Sequence, residues 1–331
     1  MPRPSVGGTV NASGVVRRHM TASLNKQVEE FLYDLSEQGV PPLHRLSLAE
    51  ARRTYRDICV PDRPPDDVAQ VRDRTVEGPD GEVGLRTYTP DVEGETPAVV
   101  FYHGGGWMLG GLETHDALCR ALAAEAGAVV TAVDYRLAPE HRFPAAVEDC
   151  YAATRWVGAN ADRLGATSGT LVTCGDSAGA TLAAAVGLLA RDRGGPAIDR
   201  QVLAYPPTNH AFDTDSYREN AQGYFLTRAD MERFWAGYLR SEADGRHPYA
   251  SPLGADRLSG LPPTLLLTCG FDPLRDEGVA FADRLAEAGV STEHVQYDDM
   301  IHGFLTMLAD PELDRAREGV TELAAAIRSA T

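Results

Sequence analysis

The feature that most constrains the fold of this chain is a regular alternation of short apolar runs with longer segments of helical periodicity. The apolar runs of four to six residues lie at 98–102, 128–133, 171–174, 202–205, 264–269 and 294–297. The helical segments lie at 116–126, 145–157, 178–191, 275–288 and 314–329. Apolar strands separated by helices indicate an α/β fold whose mostly parallel sheet is covered by helices on both faces.

A pair of strands with a different pattern precedes the alternation. Residues 71–76 and 83–88 no longer follow the helical period, and they flank the turn sequence Gly78-Pro-Asp-Gly81. This arrangement is typical of a β-hairpin. Added to the six apolar runs, the hairpin predicts an eight-stranded sheet.

Three segments stand outside this scheme. Residues 21–66 predict two helices, of which the first ends at Gly39 and the second spans 46–55 with Ser47 as its cap. Residues 208–250 include an aromatic helix, 228–239, between two strands; it is either a packing helix of the main domain or part of a cap above the sheet. Residues 1–20 predict a disordered leader or a tag, since 1–19 contain no acidic residue.

The charge and cysteine content exclude several classes of function. The chain of 331 residues carries a net charge of −17, which disfavours nucleic acid and anionic membranes as partners. Its five cysteines form no CxxC pair, which favours a reducing, cytoplasmic compartment. We expect no transmembrane helix, because no apolar run of about 18 residues occurs. The spacing of cysteines and histidines predicts no metal site, and no cofactor is expected.

The strongest chemical signal is Gly175-Asp-Ser-Ala-Gly179, which follows an apolar run and opens an alanine-rich helical segment. A serine on a sharp strand-to-helix turn needs glycine on both sides and points out above the sheet as a nucleophile. The alternative is a serine that only caps the helix. The context favours Ser177 as the nucleophile.

Ser177 needs a base and an acid that orients the base. Hydrolases with this turn place the acid and then the histidine after the serine. His302 follows the last predicted strand, and Asp272 stands just beyond the strand at 264–269. Asp276 is the second candidate acid, but one helical turn further on it is expected to point away.

The glycine-rich stretch HGGGWMLGG at 103–111 follows the strand at 98–102. Bare backbone can approach a reacting carbonyl and donate N–H groups to the oxyanion that forms on it. We expect such donors from Gly104, Gly105 and Ala178. A phosphate-binding loop is a weak alternative, because no P-loop or dinucleotide-binding motif is present.

Together, HGGGW at 103–107, the stretch 134–140, GDSAG at 175–179, the stretch 272–278 and HGF at 302–304 form a recognisable set. This set resembles the hormone-sensitive-lipase-like carboxylesterases, the bacterial family IV esterases of the α/β-hydrolase fold. The family usually has glycine at the position of Ala180, where we expect only an adjustment of packing.

The resemblance implies a serine carboxylesterase that hydrolyses short- to medium-chain acyl esters through Ser177, His302, Asp272 and an acyl-enzyme. It also implies a helical cap at 21–66, supplemented by 208–250, on a catalytic domain at 67–331. Family members are often dimers, so a homodimer is possible. Candidate walls of the substrate pocket are Trp107, Met108, Tyr205, Phe225 and Phe304.

Two other functions remain open from the sequence. The same residues serve any acyl carbonyl, so the bond could belong to a lactone, an amide or a carbamate. A ligand-binding receptor without catalysis exists on the same fold, although such relatives have lost one of the three catalytic residues, and this chain has all three.

Overall fold

The computed structural model describes residues 23–62, 66–309 and 311–331, and the backbone of 9–10 and 16–18. The strands within these residues form one sheet. The strands are β1 (Thr9–Val10), β2 (Val16–Arg18), β3 (Gln70–Gly78), β4 (Gly81–Thr89), β5 (Ala98–Tyr102), β6 (Val129–Asp134), β7 (Leu171–Asp176), β8 (Arg200–Ala204), β9 (Thr264–Phe271) and β10 (Thr292–Ile301). The helices are α1 (Lys26–Glu37), α2 (Leu48–Cys59), α3 (Asp116–Ala126), α4 (Ala145–Leu164), α5 (Ala178–Arg193), α6 (Asp215–Glu219), α7 (Arg228–Tyr238), α8 (Arg275–Glu287) and α9 (Asp314–Arg328).

The strand order is β1-β2-β10-β9-β8-β7-β5-β6-β4-β3. Strands β5 to β10 pair in parallel, whereas the hairpin β3–β4 joins β6 in antiparallel orientation. The predicted α/β-hydrolase fold with a mostly parallel eight-stranded sheet is therefore confirmed for β3 to β10. The short strands β1 and β2 extend the edge at β10, and they fall within the predicted leader at 1–20. The rest of that leader lies outside the described residues.

The continuous apolar runs follow from cores on both faces of the sheet. Along β5, Val100 and Tyr102 belong to one core, while Val99 and Phe101 belong to the other. Helices α4, α5 and α8 pack on the first face, and α3 and α9 pack on the second. Alternate side chains of a strand point to opposite faces, so a central strand with a core on each side is apolar along most of its length.

Several elements extend beyond their predicted ends, most of all α4, which was predicted to end at 157 and continues to Leu164. Helix α2 continues past Tyr55 to Cys59, and Ser47 with Glu50 forms the capping box at its start. Strand β10 runs to Ile301, with a shift in register after Tyr297. Polar Asp298 and Asp299 interrupt the apolar pattern there, which is why the sequence alone suggested an earlier end.

Candidate active site

Ser177 lies on a sharp turn between β7 and α5. Its backbone has φ +52° and ψ −124°, a conformation that L residues rarely adopt. A Cβ atom at Gly179 would collide with the carbonyl of Tyr102, and one at Gly175 would collide with the carbonyl of Gly179. The two glycines are therefore required by close backbone packing, as the motif predicts.

The three predicted catalytic residues come together at the carboxyl ends of three strands. The Oγ atom of Ser177 lies 2.8 Å from Nε2 of His302, and Nδ1 of His302 lies 2.8 Å from Oδ2 of Asp272. All three side chains are buried, and Asp272 is fully so. A carboxylate only accepts hydrogen bonds, so Nδ1 carries the proton and Nε2 faces the serine hydroxyl as an acceptor.

The alternative acid, Asp276, is engaged elsewhere. Its Oδ2 atom accepts a hydrogen bond of 2.8 Å from the N–H of Ser216, and its other oxygen pairs with Arg275. The second carboxylate oxygen of Asp272, by contrast, accepts from the N–H of Leu274 at 2.8 Å. Helix α8 begins three residues after Asp272, and Asp276 in its first turn is bound to other partners, as expected for a side chain that points away from the histidine.

The glycine loop after β5 differs from the prediction at one residue. The N–H of Gly104 donates to Oδ1 of Asp176 at 2.8 Å, so this donor is already used. The sequence predicted that this N–H would donate to the oxyanion, but in the structure it donates to Asp176. Gly105 and Gly106 border the same cavity as Ser177, and their N–H groups have no hydrogen-bond partner among the described residues.

The N–H of Ala178 lies in the first turn of α5, where backbone donors have no partner within the helix. It therefore remains a candidate oxyanion donor together with Gly105. The positive end of the helix dipole lies at the same place. The arrangement offers N–H groups from the glycine loop and from the start of α5 beside a single nucleophile.

His103 supports the glycine loop from behind. Its Nδ1 atom lies 2.7 Å from the carbonyl of Gly104, and its ring stacks on Tyr135 with 4.2 Å between centroids. Burial, together with His115, lowers the pKa of His103 to about 3, so its imidazole is neutral. A Cβ at Gly110 would come within 2.8 Å of His103 Nδ1, so this contact requires glycine at the far end of the loop.

Comparison with known proteins agrees with this geometry. The family described as the α/β-hydrolase fold matches residues 99–306. The carboxylic ester hydrolase LipN of Mycobacterium tuberculosis is 44% identical over 288 residues, 85% of this chain and 76% of LipN. An ethyl acetate hydrolase of Pseudomonas putida is 34% identical over 319 residues, 92% of this chain and 99% of that protein. A hyperthermophilic esterase of Pyrobaculum calidifontis is similar in structure, with a TM-score of 0.86 and 41% identity over 93% of this chain and 98% of that one.

The chain belongs to the hormone-sensitive-lipase-like α/β-hydrolases. It is a carboxylesterase.

The cavity of the esterase beside Ser177 is mostly apolar, but its walls differ from the predicted set. Of the five predicted wall residues, only Phe225 lines it. Trp107 instead stacks on Tyr238 with 4.3 Å between ring centroids, and Met108 is also buried. Tyr205 and Phe304 are buried in the core, where the ring of Tyr205 lies 4.7 Å from that of His302. The prediction is therefore wrong for the four side chains other than Phe225, which pack in the interior and do not line the cavity.

Several wall residues were not predicted. The lining comprises Leu43, Tyr55, Cys59, Gly105, Gly106, Leu109, Asp176, Ser177, Phe225, Leu226, Asp230, Phe234, His302, Gly303 and Thr306. Tyr55 and Cys59 both come from α2, and Cys59 lies in the part of the helix beyond its predicted end at Tyr55. Burial raises the pKa of Cys59 to about 12, so this side chain is a neutral thiol. No motif in the sequence marks these contacts.

In the residues that the structure describes, no group of three or more histidine, cysteine or acidic side chains could hold a metal ion. Across those same residues, no helix combines the length and apolar character needed to span a bilayer.

Proposed function

We propose that the esterase hydrolyses short- to medium-chain acyl esters through Ser177, His302, Asp272 and an acyl-enzyme intermediate. The observation that carries this proposal is the unbroken line of two 2.8 Å hydrogen bonds from Asp272 through His302 to Ser177. Such a line activates a serine hydroxyl, because the histidine accepts its proton while the carboxylate fixes the tautomer.

In the first half of the reaction, Ser177 Oγ attacks the carbonyl carbon and its proton passes to Nε2 of His302. The carbonyl oxygen becomes an oxyanion. When the tetrahedral intermediate collapses, the ester C–O bond breaks and the alcohol leaves with the proton from His302. In the second half, His302 takes a proton from water, whose oxygen attacks the acyl-enzyme. The carboxylic acid is released and Ser177 regains its proton.

We infer that the oxyanion receives hydrogen bonds from the N–H groups of Gly105, Gly106 and Ala178. This replaces Gly104 with Gly106, because the N–H of Gly104 is bound to Asp176. Gly106 adopts φ +59°, and a Cβ there would overlap the ring of Phe234. Only glycine lets this backbone lie between the serine and the aromatic wall.

The segments 21–66 and 208–250 are proposed to form a two-part cap above the site. The N–H of His44 donates to the buried Asp230 of α7 at 2.7 Å. The guanidinium of Arg233 donates to the carbonyls of Leu43 and Leu46 at 2.5 and 2.7 Å. These contacts join the two segments directly, and both contribute walls to the cavity.

The proposed range of acyl chains follows from the walls of the cavity. The enclosed space between them is small, about 40 Å³, well below the roughly 300–1,000 Å³ of typical ligand pockets. Phe225 and Phe234 are among its walls, and so small a space favours short and medium acyl groups. The relative named ethyl acetate hydrolase is consistent with a short acyl group.

The experiment is a series of p-nitrophenyl esters from C2 to C12, tested on the wild type and on Ser177→Ala. We expect the highest kcat/KM at C2 to C8 and no turnover above background in the variant. A maximum at C10 or longer would contradict the proposed chain length. Equal activity of the two proteins would contradict the proposed nucleophile. A lactone, an anilide and a carbamate in the same assay distinguish ester hydrolysis from the other acyl bonds.

A further inference from the structure

Asp176 is a buried carboxylate that the proposed reaction does not use. It directly precedes Ser177, it is 2% exposed, and it borders the cavity of the nucleophile. The N–H of Gly104 lies 2.8 Å from its Oδ1 atom, and Nε2 of His115 lies 3.1 Å from the same atom. A buried charge lowers the stability of the fold unless it is paired and hydrogen-bonded. These two contacts supply the pairing, and the presence of a carboxylate at this position needs an explanation.

The two partners of Asp176 stand at opposite ends of one loop. Gly104 opens the glycine loop after β5, and His115 ends the short 3-10 helix Glu113–His115 that leads into α3. Thr114 Oγ1 lies 2.9 Å from Nδ1 of His115, and the same hydroxyl also contacts the backbone of Gly111. The carboxylate therefore holds the loop at its beginning and at its end.

The contact with Gly104 is tight enough to set the path of the backbone. A Cβ atom at Gly104 would lie 2.5 Å from Oδ2 of Asp176, so only glycine lets the chain pass so close. The N–H of Gly104 points into the carboxylate, and the next two residues border the cavity beside Ser177. A rotation of the loop would turn their N–H groups away from the reacting carbonyl.

The charge of Asp176 is compatible with this place. Burial favours the neutral acid, but His115 and the N–H of Gly104 outweigh burial and hold the pKa of Asp176 below its usual value. The group is thus a carboxylate at neutral pH. An uncompensated negative charge here would oppose a developing oxyanion, so donors on the loop side are needed.

We propose that Asp176 is a positioning residue that orients the oxyanion donors Gly105 and Gly106 through its bonds to Gly104 and His115. This inference rests on the proposed ester hydrolysis. Asp176 acts through the loop and does not touch the substrate oxygen. Its removal should therefore weaken the transition state much more than the bound substrate.

The test compares Asp176→Leu with Asp176→Asn. Leucine has a similar size but accepts no hydrogen bond, whereas the amide oxygen of asparagine can still accept from Gly104. For p-nitrophenyl acetate we expect kcat to fall by roughly tenfold or more in Asp176→Leu, with KM changed by less than about threefold. Asp176→Asn should recover a large part of that loss. Unchanged kcat in Asp176→Leu would overturn the proposal.

A second substrate separates misplaced donors from general damage. In p-nitrophenyl thionoacetate, sulfur replaces the carbonyl oxygen, and sulfur is a weak hydrogen-bond acceptor. Asp176→Leu should lower turnover of the oxygen ester far more than turnover of the thionoester. Equal losses on both substrates would mean that Asp176 only maintains the fold or the serine, and the proposal would be wrong.

His115→Phe provides an independent variant, because His115 does not line the cavity. It removes one partner of Asp176 and should show the same selective loss on the oxygen ester, to a smaller extent. If Asp176→Leu does not fold, the proposal is tested by comparing turnover of the oxygen ester and of the thionoester in His115→Phe. Equal losses of its two activities, or none, would refute the positioning role. A wild type that hydrolyses no ester would instead refute the proposed function.

Discussion

Asp272→Asn is the substitution whose effect follows most directly from the hydrogen bonds of the site. One oxygen of Asp272 faces the N–H of Leu274 at 2.8 Å, and the other faces Nδ1 of His302 at 2.8 Å. In asparagine, the carbonyl oxygen must stay opposite the N–H of Leu274, which can only donate. The NH₂ group then faces Nδ1 of His302.

This orientation imposes the wrong tautomer on the histidine. Because the amide donates to Nδ1, the proton of neutral His302 moves to Nε2, which then cannot accept the proton of Ser177. A wrong tautomer in an otherwise intact serine triad lowers kcat by about 10⁴-fold, which corresponds to about 5 kcal/mol. We expect a loss of that order here.

The assay is steady-state hydrolysis of p-nitrophenyl acetate at pH 7.5, with thermal unfolding as a check of the fold. Asp276→Asn is the matched control, since Asp276 lies one helical turn away and binds Ser216 and Arg275 instead. The control should retain activity within about threefold, because it touches none of the reacting groups. If Asp272→Asn kept a tenth or more of wild-type kcat, the reasoning about the tautomer would be refuted.

Two further outcomes are expected. Gly105→Ala should lower kcat about 100-fold, because alanine is strained at φ +115° and one lost oxyanion donor weakens binding of the transition state by about 3 kcal/mol. Gly111→Ala is the control, since a Cβ at Gly111 would meet open space. Equal kcat values in the two variants would contradict the role of Gly105. His103→Asn keeps a donor towards the carbonyl of Gly104 but removes a buried imidazole whose pKa is lowered from 6.5 to about 3. The unfolded histidine takes up a proton as the pH falls below about 6.5 while the folded one does not, so wild-type stability declines from there towards pH 3. From pH 7 to pH 5, the free energy of unfolding measured in urea should fall by about 2 kcal/mol less in the variant than in the wild type. An equal fall in the two proteins would contradict a neutral His103.

Local patterns predicted a large part of this molecule. The apolar runs and helical periodicities located β3 to β10 and the main helices. The reason is that burial on both faces of the sheet makes consecutive residues of the central strands apolar. The motif around Ser177 predicted a strained turn, which the structure contains at φ +52°. The order of the chain also pointed to Asp272 and His302 rather than Asp276, since parallel strands bring their carboxyl ends to one edge of the sheet.

Predictions that depended on distant partners were less successful. Trp107 follows the glycine motif and was expected to line the pocket, yet it packs against Tyr238, 131 positions further along the chain. Phe234 and Tyr55 line the cavity without any local signal, because each comes from a helix that packs over the site from a different part of the chain. Side-chain exposure depends on such packing, which periodicity does not encode.

The sequence by itself determined the class of fold, the turn that carries Ser177 and the need for bare backbone after β5. These properties arise from residues close together in the chain, whose backbone angles and periodicity are local. Only the tertiary structure decided which glycine N–H remains open to a substrate. The carboxylate of Asp176, 72 residues after Gly104, accepts the first of these donors, and a hydrogen bond across that separation exists only once β5 and β7 lie side by side.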